Sequence, residues 1–171
     1  MYRGFTMAKA KQNTAQTAER LAQPVLLQMG LRLWDVRFEK EGGAWFLRYF
    51  IDKDGGVNIN DCEQFSRLID PILDVADPID GAYSLEVSSP GIERELTKPW
   101  HFEENLGRPV TARLIRAKSG VREIAGTLVS YSDGTAVILD AQTGTEYAVA
   151  KTEAAYIRLQ DDFDYDKGAG Q

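Results

Sequence analysis

Cysteine and histidine are almost absent. The 171-residue chain holds one of each, Cys62 and His101. A single cysteine cannot close an internal disulfide, which fits a reducing compartment. One cysteine and one histidine cannot supply the usual nitrogen and sulfur ligands of a zinc site. Long apolar runs are missing too. No run of consecutive hydrophobic residues exceeds four, against the ~20 needed to cross a bilayer, so no membrane partner is expected. Residues 1–13 carry Arg3, Lys9 and Lys11 with no apolar stretch behind them, unlike a secretory signal. Glycine-rich phosphate loops do not occur. Lys118-Ser119-Gly120 lies between two expected strands instead of opening a helix. Positive charge is not in excess either: the net charge is −6. A general nucleic-acid binder is basic overall, so any RNA contact here has to be local.

What is present has the texture of globular protein, with 43% hydrophobic and 27% charged residues. The charge is unevenly spread. Residues 52–86 carry −7, and residues 107–122 carry +5 from Arg108, Arg113, Arg116, Lys118 and Arg122. A local patch of that size still acts at contact distance, because the Debye length is about 8 Å at physiological salt.

Helical spacing of Ala18, Leu21, Ala22, Val25, Leu26 and Met29 predicts a helix over 14–29, kinked at Pro24. Alternation predicts strands over 31–39, with Trp34, Val36 and Phe38 on one face, and over 44–51. The second strand is apolar on both faces, so helices should cover one of them. Asn60 or Asp61, with Glu63 or Gln64 three residues on, predicts the start of a second helix. Its apolar stripe runs from Cys62 to Leu73, with a kink or break at Pro71. A third strand over 83–88 completes an α-β-β-α-β unit. The turn Ser88-Ser89-Pro90-Gly91 then marks a change of texture. After a short helix over 99–106, strands are expected at 109–115, 121–131, 135–140, 145–150 and 156–159, a spacing that suggests a small barrel. The expected organisation is an α+β chain: a disordered extension over 1–13, an α/β domain over 14–90 and a linker over 91–98. A barrel over 99–160 and a disordered acidic tail over 161–171 follow.

Catalytic chemistry is sparse. His101, the only imidazole available to a nucleophilic triad, reads as a surface or half-buried helix residue beside Trp100 and Phe102. Asp52, Asp54, Asn60 and Glu63 match positions 1, 3, 9 and 12 of a calcium loop. However, Gly56 and Val57 stand where a ligand and a glycine are needed. Asp61 and Glu63 are equally explained as acids at a helix N-terminus. Cys62 reads as core packing. Trp34, Trp45, Phe46 and Tyr49 could stack on bases but read as core on a half-covered sheet.

Three segments carry a resemblance. They are Ile51-Asp52-Lys53-Asp54-Gly55-Gly56-Val57-Asn58-Ile59-Asn60-Asp61-Cys62, then Leu73-Asp74-Val75-Ala76-Asp77-Pro78-Ile79, then Tyr83 to Leu96 with its Leu85-Glu86-Val87-Ser88-Ser89-Pro90-Gly91 and Arg94-x-Leu96. Together they resemble the RimP family of ribosome maturation factors, from about residue 14 to 160. The resemblance implies an α/β N-terminal domain and an Sm/SH3-like C-terminal barrel. It also implies a cytoplasmic, non-enzymatic factor, without cofactor or small-molecule substrate, that binds the free small ribosomal subunit and assists its assembly. A monomer is expected. A general Sm-like RNA-binding regulator is the alternative.

The charges acquire a meaning on that reading. Arg108, Arg113, Arg116, Lys118 and Arg122 become candidates for contact with rRNA phosphates, which suit the guanidinium fork. Asp52, Asp54, Asp61 and Glu63 become candidates for docking a basic ribosomal protein. Ser88, Ser89, Pro90, Gly91 and Arg94 form the inter-domain motif.

Overall fold

A computed structural model describes residues 7–91 and 94–160. The chain divides into two compact units, Met1–Pro90 and Gly91–Gln171.

The first unit follows the α-β-β-α-β order: helix α1 (Met7–Met29), strands β1 (Arg32–Glu41) and β2 (Ala44–Asp52), helix α2 (Ile59–Ala76) and strand β3 (Ser84–Ser88). β1 and β2 form an antiparallel hairpin across Gly42 and Gly43, both with positive φ, which glycine adopts without a Cβ penalty. α2 carries the chain back so that β3 runs parallel to β2, leaving β2 central. Leu47, Tyr49 and Ile51 alternate onto the covered face of β2. They meet Ala18, Ala22, Val25 and Leu26 of α1 and Phe65, Ile69 and Leu73 of α2, all buried. The Tyr49 hydroxyl donates to the Ala18 carbonyl at 2.7 Å, and its ring meets Phe65 edge-on at 5.3 Å. Burial pushes the Tyr49 phenol up, with a smaller push from Tyr83.

Three expectations shift. α1 begins at Met7, so residues 7–13 are helical and not an unstructured extension; Ala8, Lys9, Ala10 and Lys11 are strong helix formers. Residues 1–6 lie outside the described residues, as does the expected acidic tail over 161–171. The cap of α2 is Asn58, with Asp61 as its partner in a reciprocal box, two residues before the expected position. α2 also continues through Pro71 as one helix. Pro71 is exposed, so the carbonyl it leaves without a donor lies on the solvated side.

The second unit contains the short helix α3 (Pro99–Glu103) and strands β4 (Pro109–Lys118), β5 (Val121–Ser132), β6 (Thr135–Asp140), β7 (Glu146–Ala150) and β8 (Ala154–Leu159), with a 3-10 turn at Lys151–Glu153. The strands form one antiparallel five-stranded sheet in the order β7-β6-β5-β4-β8. The five strands expected of a small barrel are present, but strand pairing does not close them: among the described residues β7 and β8 are the sheet's ends and do not pair. The sheet does curl. At Gly126 a Cβ would sit 2.0 Å from the Leu139 carbonyl oxygen, so only glycine permits that approach of β5 and β6. Register shifts in β4 and β5 add bend. The curl brings Lys118 at the end of β4 to β7, where its ammonium donates to the Ala148 carbonyl at 2.7 Å.

Residues 94–98, expected as linker, lie within the second unit. Glu95 bridges Arg158, Leu96 N–H donates to the Ile157 carbonyl at 2.8 Å, and Leu159 N–H donates to the Arg94 carbonyl at 3.0 Å. Leu96 is buried. His101 is also corrected: expected at the surface or half-buried, it is fully buried. Its Nδ1 accepts the N–H groups of Thr97 and Lys98 at 2.9 and 3.0 Å, satisfying donors that the start of α3 leaves open. Phe102 beside it stacks on Tyr131 at 4.2 Å.

Candidate functional site

The five basic residues do not form one cluster. Arg108 precedes β4, at the end of that strand opposite the β4–β5 turn. Its guanidinium is spent on Asn105 Oδ1 at 3.3 Å. The other four gather where the β4–β5 hairpin ends. Lys118 is tied down, with Ala148 and the Glu153 carboxylate (3.3 Å) as partners. Arg122 donates from Nε to the Leu114 carbonyl at 3.2 Å. Arg113 and Arg116 are exposed and in no ion pair among the described residues. Glu123 stands directly across from Arg113. The local field is therefore weaker than +5, because Glu123 and Glu153 enter through pairing that linear charge counting misses.

The hairpin end has a second feature that the sequence hides. Between the pairs Arg113↔Glu123 and Lys118↔Val121, residues 114–117 stand opposite Arg122 alone. Such a bulge re-aims side chains. Ile115, Arg116 and Ala117 are all exposed in succession, breaking the alternation that Val110, Ala112 and Leu114 keep. A cleft of about 260 Å³ opens between this bulge and the 3-10 turn.

The four acids of the first unit divide into two pairs. Asp52 is 4% exposed and pairs with Arg32 across the β1–β2 ladder at 3.2 Å. Asp61 accepts from the Asn58 N–H at 2.9 Å and pairs with Lys53 at 3.1 Å. The Asn58 hydrogen bond, then Lys53, holds its carboxyl below the usual carboxylate range. Asp54 and Glu63 are exposed and in no ion pair among the described residues. Cys62 is half-buried against the core; burial, and less strongly the Asp61 charge, pushes its thiol up.

Of the aromatic candidates, Trp34 and Tyr49 are buried, and Trp45 stacks on Phe38 at 4.7 Å. Phe46 lies on the sheet face away from the helices, under the Arg48 guanidinium at 4.4 Å. Arg48 is the residue that sequence reading passed over. It sits at 2.7 Å from each of Glu39, Glu41 and Glu86, which hold it firmly protonated. Its flanking by Phe46 and Phe50 at period two was the only available signal.

In the inter-domain motif, Ser88 closes β3 opposite Phe50. Gly91 has φ +89°, as the third position of the expected turn requires. Arg94 donates from Nε to the Gly91 carbonyl at 3.0 Å. Residues 21–93 match the family model described as the RimP N-terminal domain.

Proposed function

The chain belongs to the RimP family through its N-terminal domain, and from that premise we propose that it binds the free small ribosomal subunit and assists its assembly without catalysing a reaction. The family is one of ribosome maturation factors. The match over residues 21–93 carries the proposal.

The arrangement of charge supports it. A nascent small subunit offers anionic rRNA and strongly basic ribosomal proteins. Arg113, Arg116 and Arg122 at the β4–β5 hairpin end are the candidates for phosphate, with Lys118 shaping the site and Arg108 outside it. Asp54 and Glu63 are the candidates for a basic protein, on a loop and a helix start where a rigid scaffold commonly presents contacts. Asp52 and Asp61 would hold that loop in place. The second unit is read as an Sm/SH3-like barrel left open between β7 and β8. The chain would act as a monomer in the cytoplasm, with the domain connection at Pro90 and Gly91. No helix among the described residues is long and apolar enough to cross a membrane.

Competition separates this reading from a general RNA-binding regulator. Unlabelled small subunits should displace the labelled protein from immobilised small subunits far better than an equal mass of protein-free rRNA. Equal displacement by both would favour the general binder and overturn the maturation-factor reading.

A further inference from the structure

We propose that the cleft at the bulged end of β4 takes a single unpaired base of RNA. The inference rests on the reading that the second unit meets rRNA, and it names the kind of RNA met. Ile115, Arg116, Ala117 and Lys118 form one wall, and Thr152 and Glu153 of the 3-10 turn form the other. About 260 Å³ is room for one nucleobase, whereas a duplex cannot enter a recess of that size.

The chemistry of the walls suits a base. Ile115, 53% exposed, and Ala117 offer aliphatic surface to a flat ring. Arg116, exposed and in no ion pair among the described residues, offers a planar cation that can stack on the base or bind its phosphate. The Thr152 hydroxyl supplies a neutral donor and acceptor for a base edge. The opposite wall is fixed: Glu153 accepts from the Ala150 N–H at 2.9 Å and from Lys118, which also holds the Ala148 carbonyl. The two walls are thus tied together before any ligand arrives, and little ordering is left for binding to supply. The bulge is what creates the cleft. A regular β4 would turn Ile115 or Arg116 away, and the wall would lose its aliphatic or its cationic part.

The test uses the full chain and two labelled probes: a short single-stranded oligoribonucleotide of mixed sequence, and the duplex formed with its complement. Binding is followed by fluorescence anisotropy for the parent, Ile115→Asp, Ile115→Ser and Arg116→Ala, with melting curves to confirm folding. The single strand should bind more tightly than the duplex. Each variant should weaken single-strand binding by about tenfold, within the range measured for one stacked base. Ile115→Ser should leave duplex binding nearly unchanged. Ile115→Asp and Arg116→Ala, which change the charge beside the phosphate candidates, should weaken duplex binding as well but by less than they weaken the single strand. Equal affinity for both probes, or equal losses on both, would overturn the cleft while leaving an RNA contact standing. Binding to neither probe would overturn the RNA reading of this unit as well.

Discussion

Asp52 and Asp54 differ by two positions and by everything that surrounds them. Asp52 closes the β1–β2 ladder against Arg32 and is buried, whereas Asp54 sits in an exposed turn. Leaving Arg32 without its carboxylate should make Asp52→Asn melt lower than the parent. Asp54→Asn combined with Glu63→Gln should melt like the parent but associate more slowly with small subunits at low ionic strength. That difference should shrink at high salt. Stopped-flow association at two salt concentrations checks this; an unchanged rate at both would remove this face as a docking surface. Asp61 belongs to the structural pair. Its folded carboxyl titrates below its ordinary value of 3.8. Its contribution is therefore present at neutral pH, and it is lost as pH falls below 3.8 through the lower folded value. The parent should melt above Asp61→Asn at pH 7, and the gap should close in strong acid. A gap that widens in acid would contradict the cap geometry.

At the scale of elements, legibility followed how local the cause was. The order α-β-β-α-β and nearly every strand in the second unit could be read because alternation and turn residues act within a few positions. The start of α2 was misplaced by two residues, since Asn60 and Asp61 have the same capping chemistry as Asn58. Of the kink or break expected at Pro71, the break does not occur: the cost of one lost hydrogen bond falls on an exposed side of a helix that Phe65, Ile69 and Leu73 anchor. The bulge at 114–117 left no composition signal, because it is a property of the pairing between β4 and β5. The pairing of Lys118 with Glu153 depends on the sheet's curl and the burial of His101 on the packing of α3 against β5, and both were equally invisible. That curl hinges on Gly126. Because the added methyl would meet backbone at 2.0 Å and not a movable side chain, Gly126→Ala should destabilise the second unit by about 1–3 kcal/mol, as overpacking does. Thermal or denaturant melting checks this, and an unchanged midpoint would mean the sheet opens freely at that point.

For the whole molecule, the division after Pro90 gives each unit its own buried core: Leu47, Tyr49 and Phe65 in the first, Phe102, Leu128 and Ile138 in the second. Fragments 1–90 and 91–171 should each give a dispersed NMR spectrum, and collapsed spectra for both would mean that neither core suffices alone. The central claim is that these two units together recognise one particle, the free small ribosomal subunit. The most direct test is sedimentation of a cell extract containing the tagged chain through a density gradient, with the protein followed across the fractions. The account predicts that it travels with free small subunits and is depleted from assembled ribosomes and large subunits. A protein that stays at the top of the gradient, or follows total RNA across every particle, would contradict it.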